Sequence, residues 1–266
     1  MLTAIVGAVL IGLIMGSCGA GGGILTVPLL IATLGLRMQE AAPIALVAIC
    51  SSTAIGAIDG LRAGLARYRA AGVIAACSLP FTSLGLHLAA ILSQHWLVLG
   101  FAGICLISAL RMLFAPMRDE GTPTFRNVGI INAATGRFLW SPATAAVMSS
   151  VGAASGMMTG LFGVGGGFVI VPMLRRFTHL SQRGSVATSL LVMALVSSGG
   201  VCLALLHGVS PPPALTLSFA MATVAGLVTG RLLNRRLPSA SLQRLFAIAL
   251  VLVGVAMLLK AIYQWH

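Results

Sequence analysis

The chain has 266 residues, 58% of them hydrophobic and only 8% charged, and its mean hydropathy is +1.05. That is more apolar surface than a 27.2 kDa globule has interior to bury, which excludes a water-soluble fold and makes the solvent a bilayer. The formal charge of +12 falls in arginines placed between apolar windows, the pattern of the positive-inside rule, so it argues for membrane orientation and against nucleic acid as a partner.

Apolar windows run at about 2–16, 24–36, 41–58, 70–92, 96–114, 143–161, 168–174, 184–206, 212–230 and 241–262. A full span takes roughly 20 residues, so six windows qualify or nearly do. The windows beside two glycine clusters are short.

The first cluster opens GSCGAGGGILTVPLL at Gly16; its near copy, GLFGVGGGFVIVPML, opens at Gly160, 144 residues later. Both read G-x-x-G-x-G-G-G-x-x-x-V-P-x-L. Glycine interrupts a helix easily, and unwound backbone survives at membrane depth only where protein packs around it. Each cluster is therefore expected to break a helix inside the membrane. Met15-Gly16-Ser17-Cys18 is similar to a lipoprotein cleavage site, but the basic n-region is missing and the phrase recurs at 160, so cleavage is not expected.

The span after the first cluster carries Ser51, Ser52 and Thr53, then Asp59 beside Arg62. Arg62, Arg67 and Arg69 fill the next turn, 93–95 has no Arg or Lys, and the polar stretch 115–142 ends the first half. In the second half the order flips: Arg175, Arg176 and Arg183 fill the first turn, 207–212 has none, and 231–244 has four arginines. Further colinear matches support duplication: Gln39 with Gln182, Ser51-Ser52 with Ser197-Ser198, Gly85 with Gly230, and Phe101-Ala102 with Phe246-Ala247.

Equivalent turns thus face opposite sides, which five segments per half would produce. The expected fold is an all-α polytopic membrane protein of two inverted-topology repeats, each a Gly-broken hairpin followed by three transmembrane helices. Residues 1–114 form the first repeat, 115–142 a cytoplasmic linker and 143–266 the second repeat. One length mismatch strains the second hairpin: Gly167 to Arg175 is about 12 Å of helix against about 27 Å for the arm before it. A single crossing there, with eight spans in total, stays open.

If both hairpins return from mid-membrane, the helices beginning near Ile24 and Phe168 aim their N-termini, with free amides and positive dipole ends, at one centre suited to an anion. Gly19, Gly21, Gly22 and Gly23, with Gly163, Gly165, Gly166 and Gly167, would let backbone approach that ligand. Hydroxyls of Ser51, Ser52, Thr188, Ser189 and Ser197 are the next candidate donors, against the commoner alternative of bonding back to their own helix. The spaced pairs Gly12-xxx-Gly16, Gly152-xxx-Gly156-xxx-Gly160 and Gly226-xxx-Gly230 read instead as helix-packing grooves. No dinucleotide fingerprint or Gly-Lys-Ser/Thr follows either cluster.

The doubled phrase, with Thr188-Ser189-Leu190 in the span after its second copy, resembles the sulfite exporter TauE/SafE family of bacterial membrane transporters over nearly the whole chain. The resemblance implies an inner-membrane, multi-pass transporter of small sulfur-containing or organic anions such as sulfite or sulfoacetate, often moving them outward. The first half departs from the pattern, with Ala45-Leu46-Val47 near the Thr-Ser-Leu position.

No mid-span carboxylate cluster suggests bound sodium, and Cys18, Cys50, Cys77, Cys105 and Cys202 form no C-x-x-C pair, so neither metal nor cofactor is expected. Export of one negative charge gains about 2.3 kcal/mol per 100 mV, which makes uniport the default and proton coupling the second choice. Membrane lipid and a small anion are the expected partners, and a homo-oligomer stays open. The rival readings are a non-transporting membrane subunit and a membrane-embedded enzyme, for which no nucleophile with a base or zinc motif is visible.

Overall fold

The computed structural model describes residues 2–18, 20–114, 141–178, 182–209, 211–234 and 239–263. Most of the expected linker thus lies outside the described residues. The elements are α1 (Leu2–Cys18), a 3-10 segment (Ala20–Leu25), α2 (Thr26–Leu34), α3 (Met38–Arg62), α4 (Tyr68–Ile91), α5 (Gln94–Phe114), α6 (Pro142–Phe162), α7 (Gly167–Phe177), α8 (Gln182–Leu206), α9 (Pro213–Asn234) and α10 (Ser239–Tyr263). Among the described residues, six helices are long and apolar enough to cross a membrane: α3, α4, α5, α6, α8 and α9. Leu10, Ile91, Leu206, Leu217 and Leu252 are exposed on the outer surface, as lipid-facing side chains should be.

Local chemistry sets the breaks. The Ser141 side chain accepts the Thr144 amide at 3.1 Å to start α6, with Pro142 in the first turn where its missing N–H costs nothing. Gly163, in the left-handed region, ends it. Gly35 ends α2 the same way.

Helix partnerships repeat between the halves. Helix α1 packs on α9 as α6 packs on α4, α3 packs on α9 as α8 packs on α4, and α3 meets α8 while α5 meets α10. The pattern maps onto itself when first-half elements are exchanged for their second-half counterparts. The glycine grooves make it possible. A Cβ on Gly156 would lie 2.8 Å from Ser78 Cα, one on Gly85 2.9 Å from Gly160 Cα, and one on Gly226 3.0 Å from Gly12 Cα, so backbone touches backbone at these crossings.

The direction of packing follows from the contacts. Gly60 lies on Ala187, Gly56 on Leu190 and Gly200 on Leu46, and Cys50 Sγ donates to Ala194 O at 3.7 Å. Residue numbers rise along α3 as they fall along α8, so these counterparts run antiparallel. Within the first half, Gly22 sits on Met15 and Gly7 on Leu29, so the 3-10 segment and α2 return alongside α1. In the second, Gly166 folds back onto Ser155, about two turns before the end of α6. The chain therefore doubles back at both glycine clusters.

Candidate functional site

Both glycine elements meet at the middle of α3 and α8. A Cβ on Gly23 would lie 3.1 Å from Met193 Cε, 3.2 Å from Val164 O and 3.3 Å from Ile49 Cδ1; one on Gly165 would lie 2.8 Å from Ser197 Oγ and 3.0 Å from Ile49 Cγ2. Ile49 and Met193 are themselves 144 residues apart, and they flank the same junction from opposite helices. Gly22, Gly23, Gly163, Gly165, Gly166 and Gly167 are all buried. Gly21 lies within the 3-10 segment, and Gly19 lies outside the described residues.

The two copies of the phrase do not share one backbone. Gly163, Gly165 and Gly166 take φ of 69°, 71° and 67°, a region costly for any residue with a Cβ, whereas Gly22 and Gly23 stay at negative φ in the 3-10 segment. The expected α-helix start near Ile24 is therefore displaced: α2 begins at Thr26, and 3-10 turns occupy the glycines before it. The second helix starts at Gly167, close to the expected Phe168. Among the described residues the Gly165 and Gly166 amides donate to no protein acceptor, while the Gly163 amide is held by Thr159 O at 2.8 Å.

Hydroxyls separate into two groups. Ser51 donates to Val47 O at 2.9 Å, Ser52 to Ala48 O at 2.7 Å and Thr53 to Ile49 O at 2.6 Å, so their protons are held by their own helix. Ser198 bonds back to Leu195 O and faces an outer groove of about 310 Å³ between α4 and α8, also lined by Leu79, Gly199 and Cys202. By contrast, the oxygens of Thr26, Ser155 and Ser197 are buried without a hydrogen-bond partner. Ser197 Oγ points to Gly165, Ser155 Oγ presses on Gly166, and Thr26 is the first residue of α2, directly after the glycine turn. Buried hydroxyls without partners cost about 1–3 kcal/mol each, so a native fold keeps them where something else supplies the acceptor.

Ser155 and Thr26 were not legible as site residues. In the sequence Ser155 lies between the groove glycines Gly152 and Gly156, and Thr26 between the tripled glycines and Val27-Pro28, so neither stands out. Thr188 and Ser189 go elsewhere: Thr188 Oγ1 accepts the Arg67 amide at 3.0 Å, placing this part of α8 against the α3–α4 turn rather than at the glycines. Ser189 Oγ is buried and unpartnered.

Asp59 pairs with Arg231 of α9 at 2.6 Å and not with Arg62, its neighbour in sequence. The Asp59 side chain is 60% exposed, so the pair ties α3 to α9 with about 1 kcal/mol or less. Among the described residues no cluster of His, Cys, Asp or Glu could hold a metal ion. His207 Nδ1 lies 2.7 Å from Leu203 O at the exposed end of α8, a helix-end contact.

The family described as Sulfite exporter TauE/SafE matches residues 4–257. A curated relative of Bacillus subtilis (strain 168), described as "Probable membrane transporter protein YunE", is 25% identical over 278 residues, spanning 96% of this chain and 98% of its own length. No solved structure matches.

Proposed function

As this chain belongs to the sulfite exporter TauE/SafE family and is a multi-pass membrane transporter of that kind, we propose that it carries small anions of the sulfite, organosulfonate or organic-acid type, outward across the bacterial inner membrane. The observation that carries the reading is the buried meeting of the two glycine elements at the centre of α3 and α8, beside orphaned hydroxyls. Free Gly165 and Gly166 amides, the start of α7, and the hydroxyls of Ser155, Ser197 and Thr26 are donors without acceptors. A negatively charged oxygen completes them. The donors are neutral, so the ligand is held without a fixed counter-charge and can leave again. Ser51 and Ser52 would join only by releasing their own carbonyls.

Two inverted repeats supply the route. Counterpart helices that pack antiparallel are related by an axis across them, which lies in the plane of the membrane. In support, Arg62, Arg67, Arg69, Arg183 and Arg231 gather with Asp59 at one end, whereas the α4–α5 and α8–α9 turns carry no Arg or Lys. By the positive-inside rule the arginine end is cytoplasmic. With the junction buried, passage requires the halves to rock about it, opening each side in turn.

Purified protein in proteoliposomes should release radiolabelled sulfite or sulfoacetate faster than protein-free vesicles; no flux across a broad anion panel would reject the reading. In a cysteine-free background, Gly64→Cys should react with an impermeant thiol reagent only from the cytoplasmic side and Gly208→Cys only from the opposite side. Both glycines have positive φ and open surroundings, so each site is reachable. Labelling of both from one face would rule out inverted repeats.

A further inference from the structure

Beside Thr188, at the arginine end, lies a second set of donors without acceptors: Arg67 Nε, Ser185 Oγ and Ser189 Oγ, all buried. Ser185, Thr188 and Ser189 are spaced i, i+3 and i+4 in the first turns of α8, so they share one face. The Arg67 amide bonds Thr188 Oγ1 and thereby sets the α3–α4 turn on that face. Ser185 and Ser189 are 0% exposed.

The chemistry of the set is one-sided. A guanidinium can only donate, and a serine hydroxyl that does not give its proton to its own helix is free to donate as well. Arg67 is half-buried, and its Nε–H is enclosed without an acceptor, a position that favours an acceptor of negative charge. Asp59 is taken by Arg231, and Glu40 accepts the Arg37 amide at the other end of α3. An oxyanion could accept from all three donors. From Ser185 the four-apart row through Ser189 and Met193 climbs about 18 Å to Ser197, turning roughly a third of the way around α8, and so reaches Gly165. At the opposite end of the molecule the counterparts, 144 residues away, are Ala41, Ala45 and Pro211. None of those three side chains can donate a hydrogen bond.

We propose that Arg67, Ser185 and Ser189 form a one-sided loading station for a small oxyanion at the cytoplasmic face, from which the ligand moves along α8 to the glycine junction. This rests on the reading of the chain as an anion transporter and adds a second, asymmetric site to it.

The test uses the full chain and sulfite as probe. In vesicles of defined orientation, Arg67→Gln should raise the KM for sulfite presented at the cytoplasmic face by about tenfold or more, with KM at the other face unchanged and partial recovery in Arg67→Lys. The Ser185→Ala/Ser189→Ala double variant should shift the same KM in the same direction, and it carries the test if Arg67→Gln fails to reach the membrane. An unchanged KM, or an equal rise at both faces, overturns the station.

Equilibrium binding of labelled sulfite to purified protein separates this proposal from the transport reading. Binding weakened by Arg67→Gln supports the station even without flux, whereas flux with binding indifferent to Arg67 leaves the transporter and removes the station. Asp119 and Glu120 of the linker are the other source of an oxyanion. If they fill the station, Asp119→Asn/Glu120→Gln should tighten sulfite binding and Arg67→Gln should not weaken it, which also overturns the proposal.

Discussion

Gly166→Ala should abolish sulfite flux, whereas Gly208→Ala should retain most of it. Both glycines take positive φ, 67° and 78°, so alanine costs each about 1–2 kcal/mol of backbone strain. Their surroundings differ. Nothing lies within 4 Å of a Cβ on Gly208, but at Gly166 the new atom would run into Ser155 Oγ and lie 2.8 Å from Ser155 Cβ and 3.0 Å from its Cα. Neither a rotamer change nor a small shift of a flexible side chain clears a collision with Cβ and backbone. The loop must then leave α6, carrying the Gly165 and Gly166 amides with it. Flux and the amount of each variant in the membrane should be measured together. Wild-type flux from Gly166→Ala would show that the second glycine turn has no part in transport.

Gly156→Leu should prevent stable accumulation of the protein, while Gly72→Leu and Gly103→Leu should be tolerated. A Cβ on Gly156 would meet the carbonyl of Ser78 and lie 2.8 Å from Ser78 Cα, so leucine can enter only if α6 and α4 separate. That interface is one of the largest in the molecule and has a counterpart in α1 on α9. Forcing it open costs about 3 kcal/mol or more, because helices in lipid are held by close packing and leucine gains nothing there that a lipid tail does not already provide. Nothing lies within 4 Å of a Cβ on Gly72 or Gly103, where the new side chain enters open space. Fluorescence-detected size exclusion of the three variants checks the contrast. A well-folded Gly156→Leu would mean that the α4–α6 contact is not needed for the fold.

Many of these glycines announce their roles in the sequence and a few hydroxyls do not. Four-residue spacing marks Gly12, Gly16, Gly156 and Gly160 as packing positions, and close crossings are where they occur, because spacing on a helix is a local geometric fact. The tripled glycines likewise mark where regular α-helix stops. Whether a serine has spare hydrogen-bonding capacity is different. Ser52 and Ser197 look alike in sequence, each in the middle of an apolar helix, yet one bonds its own backbone and the other is orphaned against Gly165. Asp59 sits three residues from Arg62 and binds an arginine 172 residues away.

Sequence alone therefore determined the solvent, the helical class and the two points where the chain breaks, since each depends on composition or spacing within a short window. Tertiary structure decided which broken elements meet, that the two copies of one phrase adopt different backbones, and that Ser155 and Thr26 join the junction while Thr188 holds the Arg67 amide. Those outcomes depend on the register in which α3 lies against α8 and α6 against α4. Register is a property of surfaces distant in sequence, and no window along the chain contains both sides of it.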